Sequence, residues 1–187
     1  MSLVLQYRWE HALIAATVEA ASEKCPDCDL GRTAIQKLLY FMNVLGVPME
    51  YSFDIHHYGP FCANIMHDVD WLIADDVIED QLQDPRSSNY KPGSGWPELA
   101  EQYKDKLAEQ KLIVTDVCNA LSDLSPDTLE LIATLDFSYR WVRASGGPGP
   151  WKQLAIEKFK SIKKDKFPDN DINGWYDALV EAKLIEK

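Results

Sequence analysis

The sequence predicts a mostly α-helical protein with a small β-hairpin: a winged-helix-like N-terminal core over residues 1–95 and a helical C-terminal part over 96–187, packed as one globular unit. Three observations lead there. Between Thr33 and Asp76 the apolar residues recur at helical steps, then at alternate positions, then at helical steps again. Two short strand-like runs then flank a turn cluster at Pro85–Asn89. Beyond residue 96 the pattern is helical, interrupted only by turn signals.

Residues 9–24 read as a first helix with Leu13, Ile14, Val18 and Ala21 inward, and Cys25 to Gly31 as its connection to the next. Thr33 suits a helix cap. From there to Leu45, the residues Ile35, Leu38, Leu39, Met42 and Leu45 form one apolar face. Gly46 stands where a left-handed cap is cheapest, and Pro48 stops continuation. Met49, Tyr51, Phe53 and Ile55 then alternate with Glu50, Ser52, Asp54 and His56, the period of a half-buried strand. Gly59-Pro60 suits a helix start, glycine at the N-cap and proline in the first turn, with Phe61, Ile65, Val69 and Leu72 as the buried face that follows. Val77, Ile78 and Leu82 form one strand and Tyr90–Pro92 its partner. The order resembles a winged helix in outline, with the first strand later than usual.

Residues 97–123 read as one long amphipathic helix, with Leu99, Tyr103, Leu107, Leu112 and Val117 on one side. Ser125, Pro126 and Asp127 open another that runs to about Ala144, and Gly146 to Pro150 breaks it. Trp151 to Phe167 carries six lysines against two acids. Leu154, Phe159 and Ile162 are needed for the core there, which leaves the lysines as a solvated face. The closing segment reads as a helix with Trp175, Ala178, Leu179 and Ala182 inward.

Charge narrows the function. At a net -11 the surface repels phosphate backbones, and Asp68, Asp70, Asp75, Asp76, Glu79, Asp80 and Asp84 cluster on and after the helix that a DNA reader would place in a groove. Nucleic acid is therefore an unfavoured partner, and those acids fit a solvated helix face. No apolar run approaches the roughly 18 residues of a membrane span, and the opening residues lack the basic and apolar regions of a secretion signal, so the expected location is the cytoplasm.

Cys25-Pro26-Asp27-Cys28 has the spacing of half a zinc site or of a redox pair. Cys62 and Cys118 stand alone, and a helix rather than a strand precedes the pair, so a loop with two thiols is the plainer reading. The four histidines form no HxxxH, HExxH or HxH, and no GxSxG, P-loop or GxGxxG occurs. His56 and His57 point to opposite faces if the strand continues, one of them capping the turn or bonding backbone. No cofactor or catalytic residue is implied, and an enzyme is the minority expectation.

Lys37-Leu38-Leu39-Tyr40-Phe41, the Tyr51-x-Phe53 strand and His56-His57-Tyr58-Gly59-Pro60 before an acidic helix resemble the bacterial and archaeal YwgA-like proteins. More distantly they resemble the Panacea domain of toxin–antitoxin systems and the SocA antitoxin. The likeness is strong over about 45 residues. Panacea proteins commonly carry a Trp shortly before the Gly-Pro, where this chain has His57-Tyr58, which favours the YwgA-like branch. The resemblance implies a mostly helical, winged-helix-like protein and, for the Panacea branch, an antitoxin that holds a toxin by protein–protein contact. Lys37, Tyr40, His57, Tyr58, Gly59 and Pro60 are the residues that carry over, as contacts or as structure. In the structural alternative Tyr58 stacks under the first helix and Gly59-Pro60 starts the next.

The expected function is thus a non-enzymatic, antitoxin- or adaptor-like protein-binding module, whose acidic charge suits a basic toxin or another neighbouring gene product. One alternative is a winged-helix DNA-binding regulator. A second is a metal-binding protein or enzyme using Cys25, Cys28 and the histidines.

Overall fold

Helix α1 (Trp9–Lys24) is buried on almost every side, and the first half of the chain is built around it. The structure, a computed structural model, describes residues 6–28, 30–82, 84, 87–146 and 148–186. Part of the turn cluster expected at Pro85–Asn89, and Gly147 of the expected breaker, lie outside the described residues. Contacts divide the chain into two compact units: Met1–Asp54 with Phe61–Ser125, and Ile55–Pro60 with Pro126–Lys187. The protein is mostly α-helical with small two-stranded sheets. No helix among the described residues is long and apolar enough to cross a membrane.

In the first unit α1 packs against α2 (Arg32–Val44), α3 (Ala63–Ala74), α4 (Trp96–Gln102) and α5 (Lys104–Leu121). Leu13, Ile14, Val18 and Ala21 are buried as expected, and Thr17 stays dry by donating its hydroxyl to the Leu13 carbonyl at 2.7 Å. Helix α2 begins at an extended Gly31 rather than being capped by Thr33, because the Gly31 carbonyl already accepts the Ile35 N–H at 3.1 Å. It ends in a Schellman cap: Gly46, at φ 93°, donates to Asn43, and Val47 donates to Met42. Leu45 falls at the cap and is exposed rather than on the apolar face.

The strand expected over Met49–Ile55 is shorter, only β1 (Asp54–His56), although burial alternates from Met49 onward as its period requires. Side chains take the place of a partner strand. The Trp9 indole donates to the Pro48 carbonyl at 2.6 Å, and Glu10 accepts the Glu50 N–H at 3.0 Å. Gly59-Pro60 does not open a helix. It lies in β2 (Gly59–Phe61), paired with β1, and α3 starts after Cys62. Gln36 explains the delay: its amide accepts from the Cys62 N–H at 3.0 Å and donates to the Cys62 carbonyl at 2.8 Å, which pins the N-cap of α3 to α2.

Strands β3 (Ile78–Asp80) and β4 (Tyr90–Pro92) form the expected antiparallel hairpin, with Glu79 opposite Lys91. Asp80 ends β3 by accepting the N–H groups of Leu82 and Asn89 at 3.2 and 2.9 Å, which leaves Leu82 exposed rather than in the strand. The single helix expected over 97–123 is two, α4 and α5, parted at Tyr103 (φ -113°, ψ 17°), whose hydroxyl donates to the Tyr7 carbonyl at 2.7 Å. Leu112 is 71% exposed rather than inward, because it lies five residues from Val117 and so off the buried face of α5.

Cys25 and Cys28 form a disulfide with their Cα atoms 5.3 Å apart, so the loop holds no pair of free thiols. Lys91 donates to the Pro26 carbonyl at 2.8 Å and ties this loop to β4.

The second unit is built on α6 (Pro126–Ala144), against which α7 (Trp151–Lys163) and α8 (Asp169–Glu181) pack. On α7 the buried stripe is Ala155, Phe159 and Lys163, while Leu154 and Ile162 are only half-buried. On α8 it is Ile172, Tyr176 and Leu179. Ala182, expected inward, is the exposed C-cap, and Trp175 is half-buried.

Candidate functional site

The hairpin that carries His57, Tyr58, Gly59 and Pro60 is held from its turn. Gly59 has φ 88°, a left-handed value that costs glycine little, and Pro60 beside it is buried. The His57 carbonyl accepts a hydrogen bond from the Lys163 ammonium at 2.7 Å. The same ammonium lies 2.8 Å from Glu130 Oε1, with the two side chains 3% and 2% exposed. Lys166 closes the cluster, donating to Glu130 Oε2 at 2.9 Å and to Asp127 at 3.2 Å. Glu130 thus has both oxygens covered by ammonium groups, the condition under which a buried ion pair holds together. Burial pulls the Lys166 ammonium down, but its bonds and charge attraction to Glu130 and Asp127 outweigh this and hold it above its ordinary value.

Over this clamp the rings of His57 and Tyr58 meet edge to face at 5.0 Å, and the Lys166 ammonium lies 5.9 Å from the Tyr58 ring centre. Tyr58 is 59% exposed, so it does not stack beneath a helix. Tyr58 therefore does not stack under the first helix and Gly59-Pro60 does not start the next, but Gly59 and Pro60 are buried parts of the hairpin and do make the fold there.

Lys37 and Tyr40 belong to the first unit and are buried, Lys37 to 1% exposure. Tyr40 packs edge-on against Phe41 and Phe53, with ring centres 5.3 and 5.4 Å apart. These two residues are core components, not surface contacts.

A second polar cluster, in the first unit, gathers around Asp68. Arg8 donates to Asp68 Oδ2 at 2.7 Å, the Tyr51 hydroxyl donates to the same oxygen at 2.6 Å, and His11 Nε2 lies 3.3 Å from Oδ1. His11 Nδ1 accepts the Arg8 backbone N–H at 3.2 Å, which places the ring proton on Nε2 and uses both nitrogens. Burial, then the hydrogen bond to Asp68, pushes the Tyr51 phenol far above its ordinary range. The acids from 68 to 84 are therefore not one solvated face. Asp68 is a buried strut joining α1, α3 and the 47–53 segment, Asp75 holds the Tyr7 hydroxyl, and Asp80 holds backbone; Asp70, Asp76, Glu79 and Asp84 are the exposed ones.

Nor are the lysines of 151–167 all solvated. Lys163 and Lys166 hold Glu130, Lys152 pairs with Asp177, Lys160 with Asp169, and Lys158 lies 3.8 Å from the Trp141 ring centre. Glu130 and Lys163 escaped the sequence reading, yet a trace was present. Lys163 sits four residues after Phe159 and eight after Ala155, on the apolar stripe itself.

Glu130, Lys163, Lys166, Asp68 and His11 each already have partners, so both clusters position backbone rather than offer a spare acid or base. Among the described residues no three His, Cys, Asp or Glu side chains are grouped so as to hold a metal ion. No family model and no curated protein matches the chain.

Proposed function

We propose that the protein is a non-enzymatic protein-binding module, antitoxin- or adaptor-like, that acts in the cytoplasm on a basic protein partner. One observation carries this reading: the charge is divided between the units. The first unit holds 20 acidic and nine basic residues, the second ten of each, so the whole net charge of -11 belongs to the first. A unit of that charge steers basic proteins toward itself and repels nucleic acid.

Two further features support it. Residues 37–41 and 56–60 resemble, more distantly than the YwgA-like proteins, the Panacea domain, and for that branch the resemblance implies binding. The order of two helices, a hairpin, α3 and a second hairpin fits a winged-helix-like core, but α3, the helix that would enter a DNA groove, turns Asp70 to solvent.

The test is affinity purification of the tagged protein from its native host at moderate salt, with protein and nucleic acid both measured. A stoichiometric basic partner supports the reading. Recovery of chaperones alone, or of DNA released by raising the salt, overturns it.

A further inference from the structure

The outer face of α3 is the strongest unexplained surface in the charged unit. Its inward residues are Ile65, Asp68, Val69 and Leu72. His67, Asp70, Trp71 and Ala74 fall at positions i, i+3, i+4 and i+7 and are all exposed, with Trp71 at 48%. A half-exposed tryptophan in the last turn of a helix leaves a large apolar area in water, and tryptophan is among the residues most often dominant at interface centres.

The stripe ends where the α3 C-terminus meets the β3–β4 hairpin. A cavity of about 620 Å³ lies there, lined by Ile73, Asp76, Ile78, Glu79, Asp80, Gly93 and Ser94. The side chains of Asp70, Asp76 and Glu79 enter none of the ion pairs or hydrogen bonds found among the described residues. Helix C-termini also carry partial negative charge. Arg32 lies within charge range of Asp70 and Lys91 stands opposite Glu79, but neither closes an ion pair among the described residues. Exposed carboxylates outside any ion pair, a helix end of the same sign and an exposed indole share one preference: a guanidinium or ammonium flanked by apolar groups.

We infer that this face, from His67 through Trp71 to the cavity at Asp76 and Glu79, is the docking surface for an arginine- or lysine-bearing protein segment. The inference rests on the protein-binding reading above and gives it an address. Charge complementarity selects the occupant: a nucleic acid would bring phosphates to carboxylates, and a second copy would bring another unit of net -11.

The test uses the full chain and a fluorescein-labelled 12-residue peptide of alternating Arg and Leu as probe, at low and moderate salt. Trp71→Ala and the double reversal Asp70→Lys with Glu79→Lys should each weaken binding about ten-fold or more. The same charge change on exposed residues of α5, Asp105→Lys with Glu109→Lys, should change it less than about three-fold. All the substituted side chains are exposed, and thermal melts of each variant verify folding. Equal loss from the α5 reversal, or no binding of the probe at all, overturns the docking surface. Because the probe is defined, that result is separate from whether a native partner is recovered.

Discussion

Lys163 Nζ lies 2.8 Å from Glu130 Oε1, and neither side chain is more than 3% exposed. Two charges so far from water are tolerable only together. Removing the acid, as in Glu130→Leu, strands Lys163 and should cost about 3–5 kcal/mol, whereas Lys163→Met leaves Glu130 its second ammonium, Lys166, and should cost less. The double replacement should recover most of that loss, because two apolar side chains leave no buried charge. Denaturant unfolding of the three variants measures this. Additive losses in the double variant would contradict it.

The same lysine reaches the His57 carbonyl across 106 residues of sequence, and this marks what the sequence could and could not disclose. Local grammar was readable: α1, the α2 cap at Gly46, the β3–β4 hairpin and α6 lie where periodicity and turn chemistry put them. Elements whose partners are distant were misplaced. The run at 49–53 has strand alternation but finds its bonds on Trp9 and Glu10, and Gly59-Pro60 has helix-start chemistry but is displaced because Gln36 caps α3 from another helix. Lysine is assigned to water by default because burying it alone is costly. Only the presence of Glu130 reverses that default, and no local pattern joins the two.

Asp80 gives a pH test. Burial alone would raise its pKa, but the N–H groups of Asn89 and Leu82 and the charge of Arg32 outweigh it and lower the carboxyl below 3.8. A folded pKa below the unfolded one means stability that is fully present above 3.8 and lost as the pH falls through the lower folded value. Asp80→Asn should therefore be less stable than the parent at neutral pH, with the gap closing under acid. Unfolding curves from pH 6 downward measure it, and a pH-independent gap would remove Asp80 as the cause.

Two glycines should respond to alanine in opposite directions. A Cβ on Gly93 would come within 2.1 Å of the Asp76 carbonyl oxygen, which is backbone and cannot swing aside. Gly93→Ala should cost about 1–3 kcal/mol or more and loosen the β3–β4 hairpin. A Cβ on Gly174, inside α8, meets nothing within 4 Å. Gly174→Ala should stabilise by about 0.5–1 kcal/mol, the helix-propensity difference. Thermal unfolding of the pair checks both signs.

Tyr40 and Tyr58 separate structure from contact within one sequence likeness. Tyr40 is buried against Phe41 and Phe53, so Tyr40→Ala removes two ring contacts and leaves a cavity, at a cost of about 3–5 kcal/mol. Tyr58 stands out from its turn at 59% exposure, and the backbone there is held by Lys163 through the His57 carbonyl rather than by the ring. Tyr58→Ala should thus leave stability within about 0.5 kcal/mol of the parent. If the turn is a contact site, the same variant should lose co-purifying partner while melting normally. A Tyr58→Ala protein that retains its partner in full would return the turn to a purely structural role. One that melts far below the parent would show that the exposed ring supports the hairpin after all.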